Sequence, residues 1–387
     1  MNFEFLSSGL FFRKRKRECF CILLALLLNV MGFVILSSAS LAFLKSENYA
    51  LKQLAWLVLA LNAFCLTALI PVEKLRKSLP FWVWISLGLL VAVLIPGLGT
   101  KVNGSRRWIH CFVSIQVSEL SKIALVLWLA DYIEKNAEWM DSFWKGFFKP
   151  ILFCSFWAGL VLLEPDYGTA VLLLAVAVTL LFLGGAKIRH LLLSAAAFLL
   201  LFTLLVWRNP PRLKRIISFL DLEGNRSDGS YQLWQAILAF VSGGPWGRGI
   251  GHGRQQLTYL PEAHTDFIYA VLVEELGCIG GMLIIGLFSL LFLSVLSGLQ
   301  RQESLFARIL GYGTIFMIVY QSILNMGVVT ACFPTKGISL PFLSYGGSNL
   351  IAVYALLGLM THALRTESLS SEGDPAGPSS AGHSLDF

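Results

Sequence analysis

The chain has 387 residues, 56% hydrophobic and only 14% charged, with a formal net charge of +7. Soluble domains carry about 25% charged residues, so a water-soluble globule of this size is excluded. The basic excess lies at the ends of apolar runs and in the loops between them, where membrane orientation and lipid head groups account for it, and no nucleic-acid partner is expected.

The apolar runs have the length of about 17–25 residues that crosses a hydrocarbon core, and in lipid such runs must be helices because every backbone polar group has to be satisfied internally. They predict an all-α polytopic membrane protein of about ten transmembrane helices. The predicted spans are 19–44, 51–70, 80–97, 117–133, 150–163, 169–183, 190–207, 266–296, 307–329 and 340–364. Residues 1–18 read as a basic cytoplasmic N-terminus, with Arg13-Lys14-Arg15-Lys16-Arg17 ahead of the first run. That run is too long for the core of a removable signal peptide and has no convincing cleavage site. The fifth span looks short and ends at the break Glu164-Pro165-Asp166. The eighth looks long, which predicts tilt or emergence from the bilayer.

Ten crossings return the C-terminus to the cytoplasm, and Lys74, Arg76, Lys77, Lys187, Arg189, Arg301 and Arg308 then fall on the inner side. The membrane domain is 19–365, with a large extracytoplasmic loop, 208–265, between the seventh and eighth helices. Residues 366–387, rich in Ser, Gly and Pro, read as a disordered cytoplasmic tail. Seven scattered cysteines, Cys19 and Cys21 among them, suggest neither a disulfide framework nor a metal site.

Two outer segments keep cations on the wrong side. Long loops cross whatever their charge, which covers 208–265 with its Arg215. It does not cover the short segment with Lys101, Arg106 and Arg107, and cations retained there point to a bound anion. In Asn103-Gly104-Ser105-Arg106-Arg107-Trp108-Ile109, two guanidinium forks beside an interfacial Trp108 suit phosphate, or alternatively an interface anchor. Glu119 and Lys122, three apart at the start of the fourth helix, form a pair facing a wet cavity or a purely structural one. Glu164 and Asp166 could hold a cation, support a basic neighbour or cap the sixth helix.

The run Gly243-Gly244-Pro245-Trp246-Gly247-Arg248-Gly249-Ile250-Gly251-His252-Gly253 is no nucleotide loop, since no strand precedes it and no Gly-Lys-Ser follows; it reads as a flexible or tightly turned substrate loop. Leu260-Pro261-Glu262-Ala263-His264-Thr265-Asp266-Phe267-Ile268 puts Asp266 at a membrane boundary. It is there either as a general base or as the N-cap of the eighth helix. Glu274 follows about 80° round that helix and continues a polar side. Finally, the prolines and glycines between Phe333 and Ser348 break the backbone at membrane depth, which only protein or a wet cavity can cover; Lys336 is a further outer cation.

Five stretches in this order resemble the SEDS family (shape, elongation, division and sporulation proteins), closer to its division branch than to its elongation branch. They are Gly104-Ser105-Arg106-Arg107-Trp108-Ile109, the stretch from Gln116 to Lys122, the Glu164-Pro165-Asp166-Tyr167-Gly168-Thr169-Ala170 junction, the Asp266 stretch, and 335–348. Val117 stands where the family has Pro, and Gln255-Gln256 where a Lys is expected.

The resemblance implies an enzyme of the bacterial cytoplasmic membrane, at the division site. It polymerises lipid II, a polyprenyl-diphosphate disaccharide-peptide, into glycan strands. Its partners are a class B penicillin-binding protein, a cross-linking transpeptidase, and other division proteins. Asp266 takes the position of the catalytic aspartate. Arg106, Arg107, Trp108, Arg215, Glu262, His264, Lys336 and Ser344 are the substrate-binding candidates, supported by Glu119, Lys122, Glu164, Asp166 and Glu274. No cofactor is required, though a divalent cation could share the diphosphate. Competing readings are a flippase for the lipid-linked precursor, which needs polar lining from face to face, and a noncatalytic division scaffold, for which Asp266 is dispensable.

Overall fold

The computed structural model describes residues 14–42, 49–102, 105–110, 114–193, 230–254 and 260–372, with isolated positions between 196 and 224. Its helices are α1 (Lys14–Ala42), α2 (Tyr49–Leu69), α3 (Val72–Leu94), α4 (Val117–Lys135), α5 (Lys149–Leu163), α6 (Tyr167–Leu183), α7 (Tyr231–Gly243), α8 (Ile268–Leu299), α9 (Leu305–Val329) and α10 (Gly347–Glu372). Seven described helical segments are long and apolar enough to cross a membrane. Of the other predicted spans, α6 is apolar but shorter, and α4 carries Glu119, Lys122 and Asp131, all buried against its neighbours. The predicted span 190–207 lies largely outside the described residues, as do Arg215 and the tail beyond 372.

Three features depart from the sequence reading. A π-helical turn, Phe143–Phe148, runs into α5, so the fifth crossing extends over Phe143–Leu163 and is not short. The third helix starts at Val72 and carries Pro80 inside it, as membrane helices tolerate. The all-α description holds for the membrane helices, but a small antiparallel sheet follows α3: β1 (Gly99–Val102), β2 (Ser105–His110) and β3 (Ser114–Gln116), in that order. An irregular loop at the lipid boundary would leave its amides and carbonyls unpaired, and pairing three short strands satisfies them.

Helix α9 is central and packs on α4, α6, α8 and α10, while α10 also lies along α2. At one end of the bundle Arg17 donates to Ser297 O (3.2 Å) and Arg365 pairs with Glu18 (2.5 Å). At the other end the sheet, the α5–α6 junction, the entry to α8 and the loop between α9 and α10 come together. Helix α8 would run about 48 Å if straight, well beyond a hydrocarbon core of about 30 Å. It is broken at Gly277, where φ is 74° and ψ 179°.

Candidate active site

Asp266 lies just before α8, whose N-cap position is Phe267 and whose first turn has no side-chain cap. The carboxylate is therefore not spent on capping, and among the described residues no side chain donates to it. Its backbone is held tightly. Asn325 of α9 donates through Nδ2 to Asp266 O (2.8 Å) and to Ile338 O (2.6 Å). Ser344 Oγ donates to Thr265 O (2.7 Å) and accepts from Leu340 N (2.6 Å), and Tyr345 N donates to His264 O (2.9 Å). Residues 264–266 are thus stitched to the broken loop before α10. A Cβ on Gly337 would lie 2.8 Å from Asp266 Oδ2, so only a glycine lets the carboxylate settle against that loop. Burial, then the negative charge of Glu262, push the Asp266 pKa up to about 7, with Arg107 opposing the rise.

Arg107, on β2, donates through Nε to Glu164 O (3.3 Å) and through Nη2 to Pro165 O (2.6 Å), satisfying carbonyls left open where α5 ends. In β2 the pairing passes from Trp108 opposite Thr100 to Arg106 opposite Lys101, so Arg107 is the extra residue of a β-bulge, a device that re-aims a side chain. Asp166 caps α6, accepting from Thr169 N (3.2 Å) and Thr169 Oγ1 (3.0 Å), with Gln116 and Ser118 each at 3.4 Å. Glu164 is different. It is fully buried, and among the described residues neither carboxylate oxygen has a hydrogen-bond partner. Burial, then Asp166, push its pKa up to about 9.

Lys336 is lowered by burial against the pull of Asp166. It stands at the rim of an apolar cavity of about 170 Å³ lined by Gly168, Val171, Leu324, Val328, Phe333 and Ile338 among others. A Cβ on Gly168 would meet Ile338 Cδ1 at 2.5 Å, so a larger residue there would have to displace that side chain.

The model of the cell cycle protein family that comprises FtsW, RodA and SpoVE matches residues 18–369. The chain belongs to this family. A probable peptidoglycan glycosyltransferase FtsW of Coxiella burnetii is 37% identical over 355 residues, covering 89% of this chain and 95% of that one. One of Pseudomonas fluorescens is 38% identical over 341 residues, covering 85% and 83%. Among solved structures, a chain from a peptidoglycan synthase complex, described as structurally coordinating polymerization and crosslinking, superposes with a TM-score of 0.76 at 28% identity, over 90% of this chain and 97% of that one. The rod shape determining protein RodA of Thermus thermophilus gives 0.66 at 27%, over 90% and 96%.

The family match spans every candidate residue, but the structure does not gather them all. Asp266, Arg107, Glu164, Asp166 and Lys336 share one site at this end of the bundle, joined by hydrogen bonds or by the electrostatic pull just described. Ser344 spends its hydroxyl on backbone. His264 stacks on Tyr49 with ring centroids 4.7 Å apart, and its pKa is lowered by burial. Glu262, at a left-handed φ of 55°, accepts from Thr265 Oγ1 (3.0 Å) and shapes the turn. Glu119 and Lys122 form a buried ion pair (2.7 Å), and Lys122 also reaches Gln321 Oε1 (2.8 Å). Glu274 is bonded to the glycine loop, away from Asp266.

Sequence reasoning missed Gln321 and Asn325. Gln321 donates to Ser339 O (2.8 Å), one residue from the Ile338 carbonyl that Asn325 holds. The signal was two polar residues four apart inside an apolar helix, a spacing that puts both on one face.

Proposed function

We propose that the chain is a peptidoglycan glycosyltransferase that polymerises lipid II at the outer face of the bacterial cytoplasmic membrane during division, with both termini in the cytoplasm. The observation that carries this reading is the Asp266 carboxylate. It is recessed, raised in pKa and free of any described side-chain donor, and it shares its site with Arg107 and Lys336 at the rim of an apolar cavity. The names of the relatives and the solved synthase complex support the same reading.

Asp266 accepts the proton of the acceptor sugar's 4-hydroxyl as that oxygen attacks the donor's anomeric carbon. The anomeric carbon–oxygen bond to the diphosphate breaks on the opposite face, which inverts the centre. Charge builds on the departing diphosphate, and Arg107 and Lys336 stabilise it. The apolar cavity takes the first isoprene units of a polyprenyl chain. A base with a pKa near the working pH is ionised often enough to act and still basic enough to take the proton.

No step here needs a cofactor. Among the described residues no group of three or more His, Cys, Asp or Glu gathers that could hold a metal. Asp166 already has its oxygens occupied, so a divalent cation would depend on Glu164 and the diphosphates themselves. A class B transpeptidase is the partner that cross-links the product.

The test is glycan formed from purified lipid II by the chain with its partner transpeptidase. Asp266→Asn keeps the shape and removes the proton acceptor, so the rate should fall about 10²–10⁴-fold. Near wild-type polymerisation by Asp266→Asn would leave a scaffold, and translocation of lipid II without polymer would favour a flippase.

A further inference from the structure

In an unbroken α8 the amides of Cys278 and Ile279 would bond to the carbonyls of Glu274 and Glu275. At the Gly277 break both pairs turn instead to one loop. Cys278 N donates to Gly244 O (2.9 Å) and Ile279 N to Pro245 O (3.3 Å), while Glu274 O accepts from Arg248 N (3.0 Å) and Glu275 O from Gly249 N (2.9 Å). The loop 243–254 thus takes over four backbone groups that the break would orphan.

Only glycines permit this approach. A Cβ would lie 2.2 Å from Glu275 O on Gly247, 2.3 Å from Val273 O on Gly243, and 2.3 Å from Pro245 O on Gly277. Both buried acids at the break are tied to the same loop. Glu274 Oε1 accepts from Arg254 N (2.9 Å) and Ser242 Oγ (3.2 Å). Glu275 Oε1 accepts from Gly251 N (3.1 Å) and from Ser38 Oγ of α1 (2.5 Å).

The break divides α8. Residues 278–299 alone run about 33 Å, close to one hydrocarbon thickness. Residues 268–276 form a separate short segment that begins two residues after Asp266, and its direction is not inherited from the membrane span. We propose that the glycine loop 243–254, inserted in the break of α8, is a positioning element that fixes the angle of residues 268–276 and so holds Asp266 against Gly337. Glu274 and Glu275 are its positioning residues. A pivot of about 10° at Gly277, acting over roughly 15 Å of helix, moves Asp266 by about 2–3 Å. Displacements of about 1 Å already cost on the order of 10²-fold in rate.

This inference rests on Asp266 being the base, so Asp266→Asn is measured beside it. Gly247→Ala is introduced in the full chain, assembled with its transpeptidase, and turnover of purified lipid II is followed across pH. Loss of the loop should lower kcat about 10²-fold with KM little changed. It should also move the acid limb of the rate profile to lower pH, because Asp266 leaves its recess against Gly337 for a more solvated position. Wild-type kcat overturns the proposal, and so does a lower kcat with the acid limb unmoved, the mark of lost folded protein only. Should Gly247→Ala not fold, Glu274→Ala removes the bond from Arg254 N of the loop and that from Ser242 Oγ at the end of α7 without adding atoms, and is judged by the same outcomes. An active Asp266→Asn takes down the base reading and this inference together. An inactive Asp266→Asn beside an unaltered Gly247→Ala sinks the loop's role alone.

Discussion

The two rims of the bundle treat charge in opposite ways. At the rim assigned to the cytoplasm, the buried acid Asp131 and its neighbour Glu134 are matched. Asp131 accepts from Arg76 (3.2 Å) and Lys135 (2.7 Å), Glu134 accepts from Arg76 and from Phe306 N (3.3 Å), and Arg76 also lies 4.8 Å from the Phe306 ring centroid. At the opposite rim Glu164 is buried with both oxygens unpartnered among the described residues, and Asp266 has no described side-chain donor. Matched charge fastens helices. Unmatched charge works against the fold, and pKa values displaced this far gather where groups must exchange protons or meet a charged ligand.

The contrast makes the rims separable by mutation. After Asp266→Asn and Gly247→Ala, the largest effect should come from Arg107→Lys, which keeps the charge and loses the planar fork that reaches two carbonyls and faces the site. Polymerisation should fall about ten- to a hundredfold with little loss of stability. Equal rates for Lys and Arg would make Arg107 an interface anchor.

Glu164→Gln should act on stability, and upward. The folded-state pKa of about 9 stands above the ordinary 4.5, so the fold favours the protonated acid, and stability drains away as pH rises between those values. Glutamine mimics the protonated form. Thermal unfolding in detergent should show a higher Tm than wild type at alkaline pH and a flatter pH dependence; a lower Tm there would mean that the carboxylate has a partner after all.

The smallest effect belongs to the matched rim. Arg76 is one-third exposed, and Asp131 keeps Lys135. Arg76→Ala should lower stability by about 1 kcal/mol or less and leave lipid II turnover per folded molecule unchanged. A catalytic defect in that variant would erase the distinction between the rims.

Much of this architecture was legible in the sequence because lipid leaves so few options. Apolar length located most of the spans, and the motif order brought Asp266, Arg107, Glu164 and Lys336 into one outer region. Features that depend on a distant partner were not legible. Asn103-Gly104 is a strong hairpin signal, yet the strands beside it are too short and polar to stand out. Helix α7 lay hidden in a long loop, although Leu233, Ala236 and Ala239 mark its buried face at a spacing of three. Gly277 reads as one more glycine in a membrane helix until the loop that fills its break is seen. Asp266 was open between cap and base, and the cap drops out only because α8 starts at Ile268 without a side-chain cap.

The most direct test of the central claim is the pH dependence of kcat/KM for lipid II polymerisation by the wild-type complex. Asp266 must be ionised to accept a proton, and its pKa is pushed up to about 7. The rate should therefore climb as pH rises through about 7 and level off above it. A rate already level at pH 6, with its acid limb near the ordinary aspartate value of about 4, would contradict a half-buried Asp266 of raised pKa acting as the base.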